Sequence, residues 1–188
     1  MTSETHSVLS VTKDPKLSTL VSTFLIQPLF DLTIVKDFNE ARRLCSERTF
    51  NIILVDFCDG EGIDFAIDMS DSLSTIMILS PAQHFDQISY KVEPFGILTM
   101  TDTFDQFYFY NMIKIAIAVH YKVQILSTKA TKLKEKMEEI RIINRAKLLL
   151  MQNLSLTEPE SHRYLEKQAM DRGLKRMALA EEIIRTYS

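Results

Sequence analysis

From residue 7 to residue 100 the chain alternates short apolar runs with amphipathic stretches of helical period. Ser7–Val11 reads as a short strand and Lys16–Leu25 as a helix. Leu32–Val35 predicts a second strand, and Phe38–Arg48 a helix with Phe38, Ala41, Leu44 and Cys45 on one face. Ile52–Phe57 is an apolar run followed by the turn residues Cys58-Asp59-Gly60-Glu61-Gly62, which fits a strand buried on both faces. Ile63–Met69 reads helical, Thr75–Leu79 as a strand, Gln83–Tyr90 as a helix and Gly96–Met100 as a fifth strand. Strands alternating with helices in this way make a doubly wound, five-stranded parallel sheet.

The pattern then changes period. No proline stands between Pro94 and Pro159, and no glycine between Gly96 and Gly173. One helix is therefore expected from near Thr103 to near Asn153, about 75 Å at about 1.5 Å per residue. Its apolar positions, Met112, Ala116, Val119, Val123, Leu126, Ala130, Leu133, Met137 and Ile140, alternate steps of four and three and lead to Asn144. Up to Val119 the helix is expected to pack on its own domain. From there Val123, Leu126, Ala130, Leu133, Met137 and Ile140 form a coiled-coil seam that predicts a homodimer. Asn144 falls on the next seam position, where a buried Asn fixes register, or where the seam ends and frees it for other work. Thr157-Glu158-Pro159-Glu160 is a capping box with an early proline. The helix it starts runs to about Arg172, where Gly173 supplies a left-handed stop. A last helix, Leu174–Thr186, turns Met177, Ala180, Ile183 and Ile184 inward. The class is thus α/β plus all-α: a parallel sheet, a long coiled-coil helix and a three-helix unit.

Charge separates these parts. Residues 1–128 hold nine Lys/Arg against sixteen Asp/Glu, and residues 129–188 hold thirteen against nine. Only the C-terminal part suits a polyanion. The two cysteines, Cys45 and Cys58, lack CxxC spacing and read as reduced thiols of a cytoplasmic protein. The start, MTSETHS, is polar and unlike a signal peptide, and the run MIKIAIAV is too short to span a bilayer. His120 and His162 have no second His or Cys three or four residues away, so no metal site is expected. There is no glycine-rich phosphate loop and no triad-like order of Ser, His and Asp. No cofactor and no enzymatic activity are read from this chain.

Asp56 ends the buried third strand, where open α/β sheets place their sites. Here residues 7–125 resemble response-regulator receiver domains. In that family the strand-end Asp accepts a phosphoryl group, and Ser80 matches the small hydroxyl residue after the fourth strand. The acidic pair expected after the first strand reads Thr12-Lys13, and the Lys-Pro expected after the fifth reads Met100-Thr101. Without the acidic pair that holds Mg²⁺, with only Asp14 or Asp59 as partial substitutes, Asp56 is a weak candidate phosphoacceptor. The favoured reading is a strand-end Asp in a receiver shell used for protein–protein contact.

The C-terminal stretch IRIINRAKLLLMQ, SLTEPESHRYLEKQAMDRG and MALAEEII resembles the ANTAR family of RNA-binding antitermination domains, over residues 137–186. It is similar in particular to amidase-operon-type antiterminators, which join a degenerate receiver, a coiled coil and this domain. The match rests on Ala146-Lys147, Leu149–Met151, Leu165, Ala169-Met170 and Ala180. Leu148, Ser161-His162, the Ile140-Arg141 placement and Arg176 depart from the family pattern. The boundaries implied are 1–104 for the receiver-like domain, 105–136 for the coiled coil and 137–188 for the ANTAR domain. The resemblance implies a dimer that binds paired stem-loops in nascent leader mRNA and blocks a terminator hairpin. A sensor or sequestering protein would control it through the receiver-like domain. Arg141, Arg145, Lys147, Arg163, Lys167 and Arg172 would serve phosphates or stack through guanidinium groups, while Asn144, His162 and Gln168 would read base edges. Two other readings stand beside it: an interaction and dimerisation module with a solvated basic tail, and a DNA-binding response regulator using its last two helices.

Overall fold

The five strands form one parallel sheet in the order β2-β1-β3-β4-β5: β1 His6–Val11, β2 Phe30–Val35, β3 Ile52–Asp56, β4 Thr75–Ser80 and β5 Leu98–Thr101. This computed structural model describes residues 5–187. Every side chain of β4 and all but the last of β3 are buried, because both strands lie inside the sheet with helices on each face.

Alternation along the strands divides the core in two. Leu9, Val11, Ile53, Val55, Ile76 and Ile78 point to the face covered by α2 (Phe38–Glu47), α3 (Glu61–Asp68) and α4 (Phe85–Val92). Val8, Ile52, Leu54, Met77 and Leu79 point the other way, onto α1 (Pro15–Phe24) and the first turns of α5 (Gln106–Leu154). The chain divides between Ile125 and Leu126 into two compact units, and α5 contributes to both. In the first unit α5 presents Phe109, Ile113, Ala116 and Ile117 to the sheet. Of the predicted seam positions in this stretch only Ala116 is fully buried, while Met112 and Val119 are half-buried flanks. His120 closes the buried row, with its Nε2 2.9 Å from the Asn51 amide.

In the second unit the end of α5 packs with α6 (Glu158–Asp171) and α7 (Arg176–Tyr187) around Ala146, Leu150, Leu165, Ala169, Leu179, Ala180 and Ile183. Glu160 accepts hydrogen bonds from the backbone N–H and the hydroxyl of Thr157, closing the capping box that starts α6. At the other end Gly173 takes φ +62° and Leu174 N–H reaches the Ala169 carbonyl at 2.9 Å. That is a Schellman stop, which favours glycine at the left-handed position. The last helix begins at Arg176, two residues later than its apolar pattern predicts, and it buries Leu179 as well as Ala180 and Ile183. Among the described residues no helix is long and apolar enough to cross a membrane.

Candidate nucleic-acid interface and the receiver-like pocket

At the carboxyl end of the sheet Asp56 is half-buried beside a depression of about 510 Å³ lined by Lys13, Asp14, Phe57, Cys58, Asp59, Glu61 and Pro81. The backbone around it is tightly determined. Cys58 and Asp59 both take positive φ, 43° and 52°, and Gly60 follows at 102°. The Gly62 N–H bonds the Phe57 carbonyl, and a Cβ on Gly62 would stand 2.0 Å from the Asp56 carbonyl oxygen. The turn residues predicted after β3 therefore fold back over the strand end.

The chemistry of this pocket follows from what fills the acidic positions. The Thr12 hydroxyl, on a side chain almost wholly buried, donates to Asp56 Oδ2 at 2.8 Å. Lys13 turns to Glu61 at 2.6 Å. Asp14 caps α1 by accepting from Lys16 N–H at 2.8 Å. Ser80 is buried and donates to the Pro81 carbonyl at 3.0 Å. Burial, reinforced by the Asp56 carboxylate, pushes the Cys58 thiol up to about 11, so it stays protonated at neutral pH. The divalent cation of receiver domains needs several carboxylate oxygens on one side of the strand-end Asp. Among the described residues no group of three or more His, Cys, Asp or Glu is arranged to hold a metal ion. The residues present do not fit that cation: a hydroxyl occupies one oxygen of Asp56, and the neighbouring cation pairs elsewhere.

In the C-terminal unit the predicted contact residues fall into two groups. The first is held by carboxylates of the same unit. Lys147, its side chain only 15% exposed, reaches Glu158 at 2.6 Å. Arg141 pairs with Glu138 at 2.7 Å, Arg172 with Glu182 at 2.7 Å, and His162 lies 3.4 Å from Glu166, which Arg176 also contacts. The second group is open. Arg145, Arg163 and Lys167 are exposed, and among the described residues none has a carboxylate within ion-pair distance. Arg163 and Lys167 stand one turn apart on α6, on the face away from buried Ser161, Leu165 and Ala169. Asn144 is exposed on α5 next to Arg145. Gln168 is half-buried on the core side of α6, and Tyr164 is partly exposed. The tie from Lys147 to Glu158 was not legible in the sequence, since the two residues belong to different helices across the turn at Ser155. A cation eight residues before Ser155 and a carboxylate three residues after it were the only hint.

Comparison with known proteins bears on both units. Residues 131–184 match the family model of the ANTAR domain. The chain therefore follows a receiver-like fold with a segment similar to the ANTAR domain. It is 25% identical over 136 residues to the transcriptional regulatory protein PdtaR of Mycobacterium tuberculosis, covering 67% of this chain and 62% of that protein. The match thus spans less than two thirds of that relative's length. Among solved structures, NtrX from Brucella abortus superimposes with a TM-score of 0.60 at 12% identity, over 66% of this chain and 29% of that one. A sensor protein from a Polaromonas species gives 0.53 at 19% identity, over 61% and 98%. The signal receiver domain of an HD domain-containing protein from Pseudomonas fluorescens gives 0.58 at 13% identity, over 66% and 95%. At these identities the likeness concerns the fold, and it agrees with the five-stranded receiver architecture.

Proposed function

We propose that the protein is a transcription regulator that binds stem-loops in nascent leader mRNA as a dimer and prevents a terminator hairpin from forming. The observation that carries this reading is the open cation group Arg145, Arg163 and Lys167 on a unit that matches the ANTAR model. Exposed guanidinium and ammonium groups bind phosphates and stack on splayed bases, which is how RNA loops are recognised. The ion-paired residues Arg141, Lys147 and Arg172 are placed to shape the unit first and to meet RNA only where a phosphate displaces their carboxylates. The exposed seam residues of α5 supply the pairing surface for two copies. The reading assigns no reaction to the chain, and it locates the protein where transcription runs, in the cytoplasm.

A direct binding assay tests it. The purified protein is titrated with a labelled RNA carrying two short stem-loops, with a scrambled RNA and with duplex DNA as competitors. The two-hairpin RNA is expected to bind best, with affinity falling steeply as salt rises. Replacing Arg145, Arg163 and Lys167 together by Gln should lower the slope of log K against log salt by about two, at roughly 0.7 per lost phosphate contact. Equal affinity for scrambled RNA at moderate salt, or preference for duplex DNA, would overturn the assignment.

A further inference from the structure

Among the described residues nothing covers one face of α5 within the C-terminal unit. Leu126, Leu133, Met137 and Ile140 are 52%, 61%, 65% and 59% exposed. The opposite side of the same helix buries Ala146 and Leu150 against α6 and α7. A row of large apolar side chains at heptad spacing is a surface that expects another helix.

The rim of the row selects the occupant. With Ala130 and Met137 at one set of seam positions and Leu126, Leu133 and Ile140 at the other, the positions flanking the seam are Ser127, Lys129, Lys134, Lys136, Arg141 and Ile143. Four are cations and none is a carboxylate. The carboxylates of this stretch, Glu135, Glu138 and Glu139, lie outside the rim, and only Arg141 is offset by one of them, Glu138 at 2.7 Å. In a parallel pair of copies Lys129 would face Lys134 of the second copy, and Lys136 would face its Arg141. In an antiparallel pair each rim would face its own equivalent, again cation against cation. Neither orientation brings a carboxylate to the rim. The seam itself holds a small Ala130 and leads to a polar Asn144, which weakens self-pairing further.

We propose that this stripe is the docking site for an amphipathic helix of a regulatory protein, apolar along its seam and acidic along its rim. Such a helix would bury the same four apolar side chains and give each cation a carboxylate. The inference rests on the reading of the active form as a dimer, because the docked helix would occupy the surface through which two copies pair. It puts the point of control on α5 and not on the pocket at Asp56.

The test uses the full chain and a synthetic four-heptad peptide with a Leu/Val seam and Glu at both rim positions. Two peptides serve as controls, one with Lys at the rim and one with the acidic composition shuffled. Fluorescence anisotropy and sedimentation velocity are read across a salt series. The acidic-rim peptide is expected to bind at least about tenfold tighter than either control, to weaken as salt rises, and to dissociate self-paired chain. Lys129→Glu with Lys136→Glu should abolish that preference. Both positions are exposed, and circular dichroism would show the helices retained. Self-pairing that is as tight at low salt as at high salt and is untouched by the acidic-rim peptide would make the occupant a second copy and overturn the proposal. So would a chain that ignores the peptide and pairs only when the two-hairpin RNA is added, since the rim would then serve phosphates. Failure of RNA binding alongside intact peptide binding would count against the RNA assignment alone.

Discussion

Gly62 shows how one residue shapes the pocket beneath it. Its position demands the absence of a side chain, since a Cβ there would overlap the Asp56 carbonyl at 2.0 Å and touch the Phe57 carbonyl at 3.0 Å. Both neighbours are backbone atoms at the end of a buried strand and cannot swing aside as a flexible side chain would. Gly62→Ala is therefore expected to destabilise the first unit by at least about 1–3 kcal/mol, the range for overpacking a well-filled site. Chemical denaturation followed by tyrosine fluorescence measures this, and a loss under half of that would mean the loop relaxes freely. Gly96 makes the contrast: it has φ +71° but open space around its missing Cβ, so its conformation matters there and its size does not. Thr12 acts on the same carboxylate from the side chain end. Its hydroxyl bond to Asp56 stands where an acidic receiver would place another carboxylate, and it exchanges a charge-dense pocket for a neutral hydrogen bond.

The start of α6 is the element on which acid acts first. Lys147 lowers the Glu158 carboxyl from its ordinary 4.5, and the Thr157 hydroxyl and N–H lower Glu160 from the same value. A carboxylate depressed in the folded state adds stability above its unfolded pKa and loses that contribution as pH falls through the folded one. The C-terminal helices are thus expected to weaken as pH drops below about 4.5. In Glu158→Gln with Glu160→Gln that part of the acid dependence should vanish, as read by helix content between pH 6 and 3 (roughly the span over which such carboxyls titrate). An unchanged acid profile would mean both carboxylates are equally stabilised in the unfolded chain. This element was visible in the sequence because Thr157-Glu158-Pro159-Glu160 is a local signal. The central strands were visible for the same reason, as short apolar runs between turn residues. The helices at the sheet edge shifted: α4 begins at Phe85 after a tight turn over Ala82–His84, and β5 begins at Leu98 because Gly96 is used up in a left-handed turn. The periodic row on α5 also hid a change of duty. Its sheet-facing residues are Phe109, Ile113, Ala116 and Ile117, with His120 closing the row, so of the heptad positions Met112, Ala116 and Val119 that spacing selects only Ala116 is fully buried. Contacts between helices, such as Lys147 with Glu158, leave no periodic trace, so which cations are open could not be read before the fold was known.

At the scale of the whole molecule, an acidic unit with a receiver fold is followed by a basic unit that matches the ANTAR model. The question is what sets the second unit's activity, and the first unit's pocket narrows the answer. A phosphoryl switch at Asp56 requires its carboxylate to be free for attack and a cation to offset the charge that develops. Here one oxygen of Asp56 accepts the Thr12 hydroxyl, Lys13 is turned to Glu61, and among the described residues no group of three or more His, Cys, Asp or Glu is arranged to hold a metal ion. Incubation with acetyl phosphate and Mg²⁺ is therefore expected to leave the intact mass unchanged and RNA affinity unaltered, and Asp56→Ala should bind RNA as the unsubstituted chain does. The informative companion is Thr12→Asp with Lys13→Asp, which puts two carboxylates beside Asp56. If that variant takes up a phosphoryl group while the native chain does not, the missing reactivity resides in those two side chains and control must come from outside the pocket. If the native chain is phosphorylated at Asp56 and its RNA affinity changes, the switch lies in the first unit after all, and the docking helix on α5 loses its regulatory role.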